Sequence, residues 1–170
     1  VLGGPLPRKD FTIATGEIKD DGTRWIMAHW KIKKNINWDE DLVGHFLVVC
    51  IDKEMKCIEV VTDINSFVPA YELTLMEQRL KYKITLGSQA DALAFATEQE
   101  KNIGPISIAD FRTYKTVTCP FTMYKNIHQF PPASIINIQN SGNKHVTTYW
   151  IAKENNTKIS FTKAADQLSK

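Results

Sequence analysis

Three thiols and four imidazoles are the groups in this chain best suited to nucleophilic or metal chemistry: Cys50, Cys57 and Cys119, with His29, His45, His128 and His145. A thiol attacks as its thiolate, so it needs a cation, a helix N-terminus or a general base beside it. A zinc site needs pairs of cysteines or histidines a few residues apart, and none of these seven residues is spaced that way. No metal site is therefore expected. The odd cysteine count, without a metal or redox pair, fits a reduced, cytoplasmic setting. Cys50 and Cys57 flank a predicted hairpin turn that could set them facing each other; two reduced, half-buried thiols are expected there rather than a disulfide. No Gly-x-Ser-x-Gly elbow is present to expose a serine nucleophile, although a triad assembled in space is not visible to sequence.

The bulk properties exclude some partners. A length of 170 residues suits one domain, and 43% hydrophobic with 24% charged residues is the balance of an ordinary globular protein. A net charge of +2 is too small for a nucleic-acid or membrane surface, which needs a concentrated basic face. The densest basic group, Lys31, Lys33 and Lys34, alternates with isoleucines as the exposed face of an edge strand would. Trp25, Trp30 and Trp38 lie near lysines but without a basic stripe, so they read as core packing rather than base-stacking platforms. No apolar run reaches the roughly 20 residues of a membrane span, and Val1-Leu2-Gly3-Gly4-Pro5 has no signal-peptide pattern.

The elements that must hold these groups read mostly as strands at first. Phe11 to Ile18 and Arg24 to Ile32 are rich in β-branched and aromatic residues across the turn signal Asp20-Asp21-Gly22. Phe46 to Ile51 is a short apolar run, expected to be a strand covered on both faces. The polar turn Asp52 to Lys56 leads into a strand over Cys57 to Thr62, and further strands are predicted over Pro69 to Leu75 and Tyr82 to Leu86. Ser88-x-x-Asp91 has the shape of an N-cap for a helix through Glu100, stopped by Asn102-Ile103-Gly104-Pro105. Ser107-x-x-Asp110 predicts a second helix to about Lys115. Strands follow over Ser134 to Ile138 and Val146 to Ile151, across the turn Asn140 to Asn143. A tail with Ala164, Ala165 and Leu168 on one helical face follows Phe161. The pattern is α+β, with helices on stacked antiparallel sheets.

Six short motifs, in order, carry a resemblance. Gly44-His45-Phe46 opens a strand that Asp52 closes, and Asp63-Ile-Asn-Ser66-Phe-Val-Pro69-Ala-Tyr71 follows. Then come Ser88-Gln89-Ala90-Asp91-Ala92-Leu93, Thr122-Met123-Tyr124-Lys125-Asn126-Ile127, Phe130-Pro131-Pro132-Ala133-Ser134 and Tyr149-Trp150. This series resembles the amidotransferase domain of asparagine synthetases, in which the counterparts of Ser66 and Ala133 are glycines. The resemblance implies an N-terminal-nucleophile hydrolase sandwich: two antiparallel sheets between helical layers (αββα), here abbreviated at its N-terminal end. Residues 1–152 are then the amidotransferase-like domain, and 153–170 a linker and the start of a following helix or synthetase domain. Gly44, Phe46, Asp63, Pro69, Tyr71, Ser88, Pro131, Pro132, Tyr149 and Trp150 are read as fold markers, not catalytic groups.

The resemblance also shows departures. Working members have an N-terminal cysteine whose α-amino group serves as general base; this chain starts with Val1. The family's Arg-Gly-Pro-Asp segment has no counterpart. Its Asn-Gly-Glu-Ile loop is echoed only by Thr15-Gly16-Glu17-Ile18, which makes Gly16 and Glu17 the candidate substrate-binding residues. Ser141-Gly142-Asn143 is a hairpin turn and not the family's ATP loop, so no cofactor is expected here; ATP and magnesium would belong to an attached synthetase domain. The resemblance implies a non-catalytic scaffold or substrate-delivery domain of an ATP-dependent amide ligase, partnered by an attached or separate synthetase domain and a peptide or amino-acid substrate. The alternatives are a glutaminase domain whose nucleophilic segment is missing from this chain, and a free-standing binding module on the same fold.

Overall fold

The hairpin predicted around Asp52 organises the molecule. The computed structural model describes residues 1–7, 22–31, 36–77 and 81–153. Strand β4 (Phe46–Asp52) pairs antiparallel with β5 (Cys57–Thr62), and the register sets Val48 against Val61 and Asp52 against Cys57. Chain order before the hairpin is β1 (Leu2–Gly3), β2 (Leu6–Pro7), helix α1 (Gly22–Lys31) and β3 (Leu42–Val43). After it come β6 (Tyr71–Glu77), β7 (Lys81–Gly87), α2 (Ala90–Ala96), α3 (Pro105–Tyr114), β8 (Ile127–Gln129), β9 (Ser134–Gln139) and β10 (Lys144–Thr148). One sheet runs β1-β4-β5-β9-β10, a second β7-β6-β8, and β2 pairs with β3.

Strand alternation explains the layers. Phe46 and Val48 of β4 share a face with Val61 of β5, and that face packs on Trp25 and Ile26 of α1 and on Trp38 and Leu42. The opposite face carries Leu47, Val60, Ile136 and Ile138, which meet Ile84 and Leu86 of the second sheet. That sheet turns Leu73 and Ile127 outward onto Leu93 and Ala94 of α2. The order is helix, sheet, sheet, helix, as expected. Val60, Val61, Leu73, Ile127 and Ile136 are 0–1% exposed, and each such side chain contributes roughly 1.5–3 kcal/mol of transfer free energy.

Several local expectations are corrected. The strand predicted over Arg24 to Ile32 is instead α1 up to Lys31, and Ile32 lies outside the described residues. Trp25, Ile26 and His29 are buried while Arg24 and Met27 are exposed, a one-sided helical spacing that outweighs the β-forming composition. Lys31 is therefore helical, not on a strand face, and Lys33 and Lys34 fall outside the described residues. Trp25 and Trp38, 7% and 5% exposed, are core. Strand β4 is covered on both faces only at its start: Phe46, Leu47 and Val48 are buried, but Ile51 is 64% exposed because the second sheet does not reach it. The last predicted strand lies earlier, over Lys144–Thr148, and its five residues are all exposed.

Both predicted helix caps were misplaced. Helix α2 has Gln89 at its N-cap with no side-chain cap bond, stops at Thr97, and leaves Asp91 to accept a 2.7 Å hydrogen bond from the Tyr124 hydroxyl. Helix α3 begins one turn early, with Gly104 at the N-cap and Pro105 in the first turn, where proline's missing N–H costs nothing. Ser107 is then an interior, buried residue whose hydroxyl donates to the Thr122 carbonyl, and Asp110 accepts from Thr118 N at 3.1 Å. The strand predicted over Phe11 to Ile18 and the tail after Phe161 lie outside the described residues. Among the described residues, no helix is long and apolar enough to cross a membrane.

Candidate functional site

Asp63 lies at the end of β5, 2% exposed, and its carboxylate is the hub of one end of the sandwich. Backbone N–H groups of Phe46 (3.1 Å) and Val68 (3.4 Å) donate to Oδ2, and those of Asn65 (2.9 Å) and Phe67 (3.3 Å) to Oδ1. The main chain of Asp63 is tied as well: its N–H donates to Phe46 O, and its carbonyl accepts from Ser66 N and Ala133 N. A carboxylate so engaged satisfies donors that the irregular loop cannot pair within itself. It folds the loop; no lone pair is left over for base chemistry.

Around this hub the structure gathers motifs that lie far apart in the chain. Thr62 donates its hydroxyl to Pro131 O at 2.8 Å and accepts from Ser134 N at 3.1 Å, while Ser134 donates to Pro132 O at 2.8 Å. The Tyr149 hydroxyl donates to Thr62 O at 2.7 Å, and Tyr149 N donates to Ala133 O at 2.8 Å. Burial raises the Tyr149 phenol well above its ordinary range, with the Asp63 charge adding to the effect. It stays a neutral donor. Phe46, Asp63, Pro131, Pro132 and Tyr149 thus converge on one bonded cluster, and Gly44 lines the cleft beside it. Tyr71 points to the α2 face instead, and Ser88 and Trp150 are exposed. Gly16 and Glu17 lie outside the described residues. Thr62 was missed by sequence reading; its only signal is its place immediately before Asp63.

Beside the hub is a cleft of about 200 Å³, floored by Trp38 and Phe46 and lined by Gly44 and Asp63, with His45 and Asn65 exposed at its rim. The His45 ring lies 4.1 Å from that of Phe67, centroid to centroid. The chain matches the family model of the glutamine amidotransferase domain over residues 26–150. It belongs to that family. Among curated proteins, none matches the chain. In this amidotransferase domain two residues with side chains take the left-handed backbone that favours glycine: Ser66 has φ +52° and Ala133 has φ +50°. Ser66 is costly in two ways, since its backbone is left-handed and its buried hydroxyl oxygen has no hydrogen-bond partner.

Ser66→Gly is therefore expected to stabilise the domain by roughly 1–2 kcal/mol. Ala133→Gly gains about 1 kcal/mol of backbone relief but loses a methyl buried to 3% exposure, worth about 0.8 kcal/mol, so it should be nearly neutral. Thermal melts of both variants decide this; a lower melting temperature for Ser66→Gly would contradict the reading.

The thiols of this amidotransferase domain are free. The register pairs Cys50 with Glu59 and Cys57 with Asp52, so the two hairpin cysteines do not face each other. Burial, with the Glu59 charge adding, pushes the Cys50 thiol up to about 11. Burial also raises Cys119, whose sulfur lies 4.0 Å from Gln129 O. Glu59 is itself raised by burial, against a hydrogen bond from Trp30 that lowers it. The four histidines stay scattered, and among the described residues no three His, Cys, Asp or Glu side chains gather as metal ligands would. A further feature that no motif signalled is the ion pair of Lys144 with the buried Glu72. It joins β10 of one sheet to β6 of the other, with the Lys144 ammonium 5.7 Å from the Phe130 ring centroid.

Proposed function

We propose that this chain is the amidotransferase-like domain of an asparagine-synthetase-type, ATP-dependent amide ligase, and that it acts as a scaffold or substrate-delivery unit rather than as a glutaminase. One observation carries the reading. The scaffold cluster around Asp63 is complete, while Cys50, half-buried on β4 beside Glu59, sits where burial holds the proton on sulfur. A thiol with its pKa near 11 is almost entirely protonated at neutral pH and makes a poor nucleophile. The six ordered motifs support the asparagine-synthetase kinship. In this reading an attached or separate synthetase domain binds ATP and magnesium and activates a carboxylate as its acyl-adenylate, which an amine of a peptide or amino-acid substrate attacks.

The test is direct. The chain, alone and joined to whatever synthetase domain its gene encodes, is incubated with glutamine, and glutamate is measured. No glutamate above background is expected, and amide formation by the joined protein should not depend on glutamine. Turnover on the order of 1 s⁻¹ or faster, or a glutamine-derived thioester trapped on Cys50, Cys57 or Cys119, would overturn the proposal.

A further inference from the structure

The sandwich is open at the end opposite Asp63. Phe46 and Asp52 stand at the two ends of the seven-residue strand β4, about 20 Å apart at the rise of an extended chain. Near Asp52 the space between the sheets is a cleft of about 360 Å³, within the range of small-molecule sites. Its floor is built by register: Ile51 lies opposite Ile58, and Ile58 opposite Ile138, while Ile84 of β7 joins from the second sheet. Ile51 remains 64% exposed, an apolar lip unlike the buried start of the same strand.

The rim is cationic. Lys53 and Lys56, both exposed, line the cleft from the β4–β5 turn. Asp52 is the acid beside them, and its Oδ1 is engaged by Glu54 N and Met55 N, each at 2.9 Å. Across the mouth, Gln139 and Gly142 belong to a tight turn closed by its own backbone bonds, Gln139 N to Asn143 O and Gly142 N to Gln139 O. Two tied turns, an isoleucine floor and two ammonium groups together favour a ligand with an apolar chain and one anionic end.

We propose that this open end binds an unbranched medium-chain carboxylate, its alkyl chain on Ile51, Ile58, Ile84 and Ile138 and its carboxylate on Lys53 and Lys56. This site lies apart from the Asp63 cluster and does not depend on the ligase reading. Octanoate titrated into the ¹⁵N-labelled chain should shift the amides of Cys57, Gln139 and Gly142 saturably. Shortening the ligand to hexanoate should weaken binding roughly fifteenfold, since each of the two buried methylenes lost contributes about 0.8 kcal/mol. The double variant Lys53→Ala/Lys56→Ala alters only exposed side chains and should melt like the parent, yet bind octanoate about fivefold more weakly. Octylammonium should bind worse than octanoate. Absence of saturable shifts up to the millimolar range, equal binding of octylammonium, or unchanged octanoate binding by the double variant would each refute the site.

Discussion

Asp63→Ala is expected to lower the melting temperature by about 10 °C, the largest loss of any single polar substitution considered for this domain. The carboxylate accepts from the N–H groups of Phe46, Asn65, Phe67 and Val68, and the site is 2% exposed. Hydrogen bonds to a charged group contribute roughly 1.5–3 kcal/mol each, and a buried donor left bare loses its desolvation cost as well. Asn65 and Phe67 are exposed and can recover water, so about half of the gross loss should persist, on the order of 4 kcal/mol. For a domain of this size each kcal/mol moves the melting temperature by about 2–4 °C. Asp63→Asn keeps an acceptor oxygen but turns an NH₂ toward one of the same donors, so it should fall between the two. Calorimetry measures the effect, and amide exchange at Phe46 and Val68 localises it. A loss of less than about 3 °C for the alanine variant would mean that the loop does not depend on this carboxylate.

The second large effect is expected from Gly44→Ala, at roughly 2–4 kcal/mol. Gly44 has φ +103°, a conformation that side chains disfavour, and an added Cβ would lie 2.8 Å from the Gly4 carbonyl oxygen. That contact is part of the seam holding the N-terminal segment: Gly4 N donates to His45 O at 3.0 Å, and β1 pairs with β4 through Leu2 and Leu47. Pushing Gly4 away should unpair β1, so limited proteolysis should cut within Val1 to Pro7 faster than in the parent. Gly4→Ala is the control, because an added Cβ there meets nothing within 4 Å; it should change stability by less than about 0.5 kcal/mol. Equal stability losses for the two variants would remove the steric explanation.

Much of the fold was legible in particular residues. Phe46 to Ile51 and Cys57 to Thr62 are dense in apolar and β-branched side chains across a polar turn, and they form the central hairpin. Pro131 and Pro132, Asp63 and Gly44 were recognisable because turns restrict residue type strongly, and that restriction is what made the family visible. Helix α1 departs from its local pattern for the opposite reason: Trp25, Ile26 and Trp30 suit a strand by composition, and only the burial of Trp25 and Ile26 on the face of β4 and β5 makes the helical spacing decisive. Ser107 and Asp110 look like cap residues locally. Their partners, Thr122 and Thr118, come from the segment after α3, and proline in its first turn sets the start of the helix earlier.

Local pattern in the chain therefore determined the strand-rich core, the main turns and the membership of the glutamine amidotransferase domain family, since periodicity and backbone restriction act within a few residues. Tertiary structure alone decided which groups work together. Thr62 reaches Pro131 across 69 positions and Tyr149 reaches Thr62 across 87, and the Glu72–Lys144 pair spans 72. Such contacts depend on how the two sheets stack and where one stops short of the other. That stacking buries Leu47 while leaving Ile51 bare on the same face of the same strand, and no short window of residues records the difference.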